Sequence, residues 1–220
     1  PQKIAMGIVK PAHTVEHALY PVPQHLKTKL LIELLKRTDT NSVIIFTRTK
    51  HRAHRVSEQI KKSGFKATSL HGDRTQGQRQ AAIKGFKSGT HDIMVATDIA
   101  ARGLDIETVS HVINFDMPDT ADAYIHRIGR TGRAQRTGDA FTLVTDEDKD
   151  MIRTLEKIMG QPLKRETLED FDYTAAAPPR TDSGGRGRGA PRDGGDGRRP
   201  PKPAPTPKSY GRNRLAPRKK

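Results

Sequence analysis

"SVIIFTRTKHRAHRVSEQIKKSGFKATSL", residues 42 to 70, changes its hydrophobic pattern twice. It opens on an unbroken β-branched and aromatic run, "SVIIFT" (42 to 47), which reads as a strand. "KHRAHRVSEQIKKSG" (50 to 64) then follows a helical pattern and closes on glycine. "KATSL" (66 to 70) returns to strand character. Strand, helix and strand at this spacing point to a crossover between parallel strands.

The same alternation continues outward. "DIMVAT" (92 to 97), "HVINF" (111 to 115) and "AFTLVT" (140 to 145) read as further strands. "HLKTKLLIELLKRT" (25 to 38), "TQGQRQAAIKGFKSG" (75 to 89) and "DEDKDMIRTLEKIMG" (146 to 160) read as helices, the first with Leu26, Leu30, Leu31, Leu34 and Leu35 on one face. The expected fold is α/β, a mostly parallel sheet with helices on both faces and ligands at the carboxyl ends of the strands. Residues 1–24, with Pro11, Pro21 and Pro23 around "TVEHALY", read as a linker or entry segment, residues 25–165 as the domain, and 166–174 as its end. "TLEKIMGQPLKRETLEDFDY" closes the domain with a helix and an extended piece, or carries a partner site.

Charge is unevenly spread. Residues 175–220 hold 13 Lys and Arg against 3 Asp, so +10 of the formal +15 lies there. That segment is rich in Gly and Pro and nearly free of large apolar residues, so it cannot offset its ordering entropy and is expected to be a disordered basic tail. Its "GGRGRG" suits sequence-independent RNA binding, possible protein partners, or solubility alone. The chain has no cysteine, which excludes disulfides, thiolate zinc sites and a cysteine nucleophile. No apolar run approaches the roughly 18 residues that span a bilayer, and the start lacks a signal peptide's apolar stretch. These features give the expectation of a soluble cytoplasmic protein without a membrane partner. The histidines show no ligand grouping with carboxylates, so no metal site is assigned.

Polar clusters follow the strands: Arg48 and Lys50, then "HGDRTQGQR" (71 to 79), "DIAARGLDI" (98 to 106) and "DMP" (116 to 118). "HRIGRTGRA" (126 to 134) sets Arg127, Arg130 and Arg133 three apart, separated by Gly129 and Gly132, with no sequence-adjacent carboxylate. Arginine forks donate paired, charge-assisted hydrogen bonds to phosphate without risk of deprotonation. A concentrated run of this kind reads as awaiting an anion, with a solvated basic face as the bland alternative. Backbone N–H groups around Gly72, Arg79 near a helix start, Thr47 and Arg48 suit contacts to a nucleic-acid backbone. Arg74, Lys84 and Lys87 suit ordinary solvated faces.

In this order and spacing, the chain resembles the C-terminal RecA-like domain of DEAD-box ATP-dependent RNA helicases. "IIFTRTK" is similar to motif IV, "HGDRTQGQR" to motif IVa, "VATDIAARGLDI" to motif V and "YIHRIGRTGRA" to motif VI, with the phrasing most similar to the RhlE-like branch. The sequence contains neither a G-x-x-x-x-G-K-[ST] loop nor an Asp-Glu-Ala-Asp run. The resemblance assigns those parts to an N-terminal RecA-like domain, a partner that would hold most of ATP and Mg²⁺, and implies that this chain is inactive alone. It further implies that Arg130 and Arg133 act as arginine fingers, and that Gly103 and Asp105 face ATP, the latter through ribose hydroxyls. Arg102, His126 and Arg127 would couple the domains, and Thr97, at the end of its strand, would contact an RNA phosphate. From the residues alone, Asp105 also reads as a helix-end or turn carboxylate and His126 as a core or interface histidine tied to backbone. RNA, single-stranded or in a short duplex, is the partner that the resemblance alone implies, because phosphate contacts do not distinguish RNA from DNA. A non-catalytic RNA-annealing module or part of a DNA helicase are the alternatives.

Overall fold

The computed structural model describes residues 15–38, 41–103, 109–131 and 138–177. Asp105, Arg133, residues 1–14 and the tail from 178 onward therefore lie outside the described residues. Within them, seven strands form one sheet in the order β3-β4-β2-β5-β6-β1-β7, and every pair is parallel. The strands are β1 (Val15–Pro21), β2 (Val43–Phe46), β3 (Ala67–Leu70), β4 (Ile93–Ala96), β5 (His111–Asn114), β6 (Gly138–Val144) and β7 (Lys164–Arg165). Between them run α1 (Lys27–Arg37), α2 (Lys50–Lys62), α3 (Gln76–Lys87), α4 (Asp98–Ala101), α5 (Ala121–Ile128) and α6 (Lys149–Met159).

The unbroken apolar runs of β2 and β4 are buried along their whole length, because both faces of the sheet are covered. Val43, Ile45, Val95 and Ile113 pack under the Leu face of α1 and Ala53, Val56 and Ile60 of α2. Ile44, Met94 and Val112 point the other way, onto Ala82 and Phe86 of α3 and Ala100 and Ala101 of α4. That layer continues through Leu19, Ala140 and Val144 beneath Tyr124 and Ile128 of α5 and Ile152 and Leu155 of α6.

The domain begins earlier and ends later than the sequence boundaries of 25 and 165. Residues 15–21, expected to be an entry segment, form β1 and pair with β6 in a seven-residue register from Val15↔Gly138 to Pro21↔Val144. The prolines punctuate this strand and do not forbid it: Pro21 is its last residue and Pro23 precedes the short helical turn Gln24–Leu26. At the other end, the Tyr20 hydroxyl donates to Glu166 at 2.8 Å, and Phe171 is buried against the core with Tyr173 edge-on to it. The Ala175 carbonyl lies 2.8 Å from His25 Nε2, so residue 175 still belongs to the domain.

Side-chain caps fix the loops at the carboxyl edge of the sheet. The Thr49 and Thr120 hydroxyls accept the Arg52 and Ala123 N–H groups, and Thr75 and Gln78 form a reciprocal capping box. α6 stops at Gly160, whose φ of 72° is costly for any residue with a Cβ.

Candidate functional site

At the carboxyl edge, α4 and α5 enclose an open cavity of about 440 Å³ lined by Phe46, Asp98, Arg102, His126, Arg127 and Arg130 among others. The three-arginine run does not behave as one unit there. Arg127, expected to couple the domains, is only 3% exposed and faces inward, beneath the cavity. Its Nε and Nη2 form a fork on the Asp98 carboxylate at 2.7 and 2.6 Å, and its Nη1 donates to Asn114 Oδ1 at 3.1 Å and to the Asp116 carbonyl at 2.8 Å. The guanidinium sits 5.1 Å over the Phe46 ring. Four of its five N–H donors are thus spent inside the domain, which corrects the reading of Arg127 as an uncompensated charge.

The α5 register explains this. Tyr124, Arg127 and Ile128 are its buried residues, one helical face at spacings of three and four. Arg130 lies beyond the helix end, after the C-capping Gly129, and is half-buried at the cavity wall. His126 is exposed on the outer face of α5, and Arg102 and Gly103 are exposed where α4 ends. Gly103 has a φ of 73° and nothing within 4 Å of where a Cβ would stand, so its backbone can be approached closely. Gly129 is different: a Cβ there would meet the Ile125 carbonyl at 3.1 Å.

The residues expected to follow a nucleic-acid backbone form a second group, at the ends of β2, β3 and β4. Thr47 is fully buried, and its hydroxyl donates to the Thr49 carbonyl at 3.3 Å, so its side chain is not open to a ligand. Arg48 is about half-exposed at its side chain and holds the Met117 carbonyl and Asp119. Gly72 is exposed, with nothing within 4 Å of where a Cβ would stand. Arg79, in the first turn of α3, reaches the Ala100 carbonyl at 3.4 Å, and Thr97 is nearly buried at the start of α4. Arg74 is no ordinary solvated residue: its Nη2 donates to Ser69 Oγ at 2.7 Å beside the buried His71. Burial, then the Arg74 charge, pushes the His71 imidazole below its usual range.

Asp98, Asn114 and Asp116 were not singled out from the sequence as members of a site. Asn114 inside an apolar strand was the available signal, because a buried amide needs partners; it donates to Thr142 at 3.1 Å and accepts from Arg127. Among the described residues, no group of three His, Cys, Asp or Glu could hold a metal, and no helix is long and apolar enough to cross a membrane.

Comparison with known proteins places this geometry. Residues 26–135 match the family model of the helicase conserved C-terminal domain. The chain superposes on the E. coli DEAD-box protein SrmB, solved bound to regulator of ribonuclease activity A, with a TM-score of 0.69 and 38% identity over 74% of this chain and 97% of that one. This chain is a DEAD-box helicase C-terminal domain. Its sheet is accordingly RecA-like. Saccharomyces cerevisiae Dbp5 bound to RNA and ADP BeF3 aligns with this DEAD-box domain at a TM-score of 0.66 and 32% identity, over 71% of this chain and 42% of that one. The ATP-dependent rRNA helicase RRP3 of Candida glabrata is 46% identical over 156 residues, 71% of this chain and 32% of the relative. The DEAD-box ATP-dependent RNA helicase CshA of Bacillus subtilis is 43% identical over 144 residues, 66% of this chain and 29% of the relative. The DEAD-box domain thus spans about a third of the length of the curated relatives it matches.

Proposed function

We propose that this chain is the second RecA-like half of an ATP-dependent RNA helicase. It supplies Arg130 and Arg133 as arginine fingers to ATP and Mg²⁺ held mainly by an N-terminal RecA-like domain. The observation that carries this reading is the convergence of arginines on the cavity: Arg102, Arg127 and Arg130 all line it, and the Arg127 fork on Asp98 joins the two helices that carry them. That donor set fits a polyphosphate. An arginine fork directed at a transferring phosphoryl group stabilises the charge spread over its outer oxygens. Gly103 and Asp105 would face the nucleotide, and Arg102 and His126 would couple the two domains. Arg127 serves by holding motif V and motif VI together.

The second half of the reading is an RNA track. Arg48, Gly72, Arg79 and Thr97 would position a strand through its phosphates without reading bases, which makes binding sequence-independent and salt-sensitive. Thr47 would contribute only through the loop it stiffens. The wording of motifs IV and V supports the RhlE-like branch, and the absence of cysteine suits a cytoplasmic protein.

The test joins this chain to the N-terminal RecA-like half of a DEAD-box relative and measures RNA-stimulated ATP hydrolysis. Arg130→Ala is expected to lower kcat by about 10³ to 10⁵, the range of an arginine finger. An unstimulated fusion, or an Arg130→Ala variant with unchanged hydrolysis, overturns the proposal; the chain alone is expected to hydrolyse nothing.

A further inference from the structure

Three successive carbonyl oxygens in the turn between β5 and α5 each accept a hydrogen bond from a cationic side chain. Phe115 O takes Lys27 Nζ of α1 at 3.2 Å, Asp116 O takes Arg127 Nη1 of α5 at 2.8 Å, and Met117 O takes Arg48 Nη2, from the loop after β2, at 3.2 Å. The Asp116 carboxylate, whose side chain is 4% exposed, accepts the Arg48 backbone N–H at 2.9 Å on one oxygen and the Arg52 guanidinium at 2.5 Å on the other. The turn is tied to the sheet by the Phe115 N–H, which donates to Phe46 O at 2.9 Å.

Asp116 is therefore bonded in two directions. Its side chain fixes the loop after β2, which carries Arg48 of the proposed RNA track, and the first turn of α2. Its carbonyl fixes Arg127, and through Arg127 the Asp98 carboxylate at the cavity. Charge-assisted hydrogen bonds of this kind are short and directional, so a displacement of either partner is felt at the other. Lys27, 2% exposed, depends on the same residue: burial pushes its amine down, and the Asp116 charge opposes that shift.

We infer that Asp116 is a positioning residue that relays the state of the RNA track to the nucleotide-facing cavity. Resting on the helicase reading above, the relay works by competition. The Arg48 guanidinium is about half-exposed and divided between the Met117 carbonyl and the exposed Asp119 carboxylate. A phosphate arriving at the track competes for that guanidinium. The Met117 carbonyl then loses its donor while Asp116 stays bound to Arg48 N–H, and the turn shifts against Arg127. The position of Asp98 and of the α5 end that precedes Arg130 changes with it.

The experiment uses the fused enzyme and measures the KM for ATP with and without saturating RNA. Coupling between two sites is commonly about 5- to 150-fold in affinity. Asp116→Asn removes the charge at the buried centre; Arg52→Met breaks the same pair from its more exposed end. Both are expected to bring the ratio of the two KM values close to one, and Arg52→Lys to restore part of it. If either folded variant keeps the parental ratio, or only raises the RNA concentration needed for half-stimulation, the relay is refuted. If Asp116→Asn does not fold, Arg52→Met decides. A parental fusion without RNA stimulation rejects the helicase reading itself, whereas a stimulated fusion with unchanged variants rejects the relay alone.

Discussion

Replacing Arg127 by methionine separates a structural arginine from a ligand-facing one, and it can be measured on this chain alone. The substitution keeps most of the aliphatic volume and removes four hydrogen bonds. Asp98 has a side chain 41% exposed, so its carboxylate rehydrates and contributes little to the cost. Asn114 is fully buried and Asp116 is 3% exposed, so Asn114 Oδ1 and the Asp116 carbonyl lose a donor that water cannot readily replace. Each stranded acceptor costs about 1–3 kcal/mol. Together with the lost stacking over Phe46, the two stranded acceptors bring the expected destabilisation to about 3–5 kcal/mol. For a domain of this size it corresponds to a fall in Tm of roughly 6–20 °C. Urea unfolding followed by far-ultraviolet circular dichroism gives the number. Arg127→Lys is expected to lose much of the same stability, because an ammonium cannot form the fork. An exposed interdomain arginine would cost within about 0.5 kcal/mol, so a loss below about 1 kcal/mol refutes the internal clamp.

Gly160→Ala forces a Cβ into the left-handed backbone that ends α6, where nothing lies within 4 Å, so conformational strain alone should cost about 1 kcal/mol in urea unfolding. Burial pushes the His17 and His71 imidazoles below 6.5, so the unfolded chain takes up those protons first. Their stabilising contribution is complete above about pH 6.5 and is lost as pH falls; the urea midpoint should drop between pH 7.5 and 5.5, and His71→Phe should shrink that drop. Truncation after Ala177 removes the basic tail but keeps the His25 contact to residue 175. It should lower RNA affinity and flatten its salt dependence while leaving the unfolding midpoint nearly unchanged, as fluorescence anisotropy and urea titration would show.

The central strands and the four longer helices were legible because each carries its own signal: an unbroken apolar run where burial is two-sided, or an apolar face that recurs at helical spacing. β1 was not, since "VEHALYP" combines Glu16, His17 and a proline, and only its seven-residue register on β6 makes a strand of it. α4 and α5 are short and depend on their neighbours in the same way, and β7 was legible only as an extended piece after the last helix. The site was legible as a set of motifs at strand ends, but its internal division was not. Arg127 and Arg130 share one residue type, one spacing and one motif, so composition assigns them one role. Their surroundings differ because Tyr124 and Ile128 turn one face of α5 to the core, and Arg127, three residues after the first and next to the second, is carried in with them. Once inside, it requires acceptors, and Asp98, Asn114 and the Asp116 carbonyl are the ones the sheet's carboxyl edge provides. The helix ends at Gly129, and the next arginine is released from that face. A single motif thus yields one arginine that builds the cavity and one placed at its wall, and the end of α5 is the physical boundary between the two.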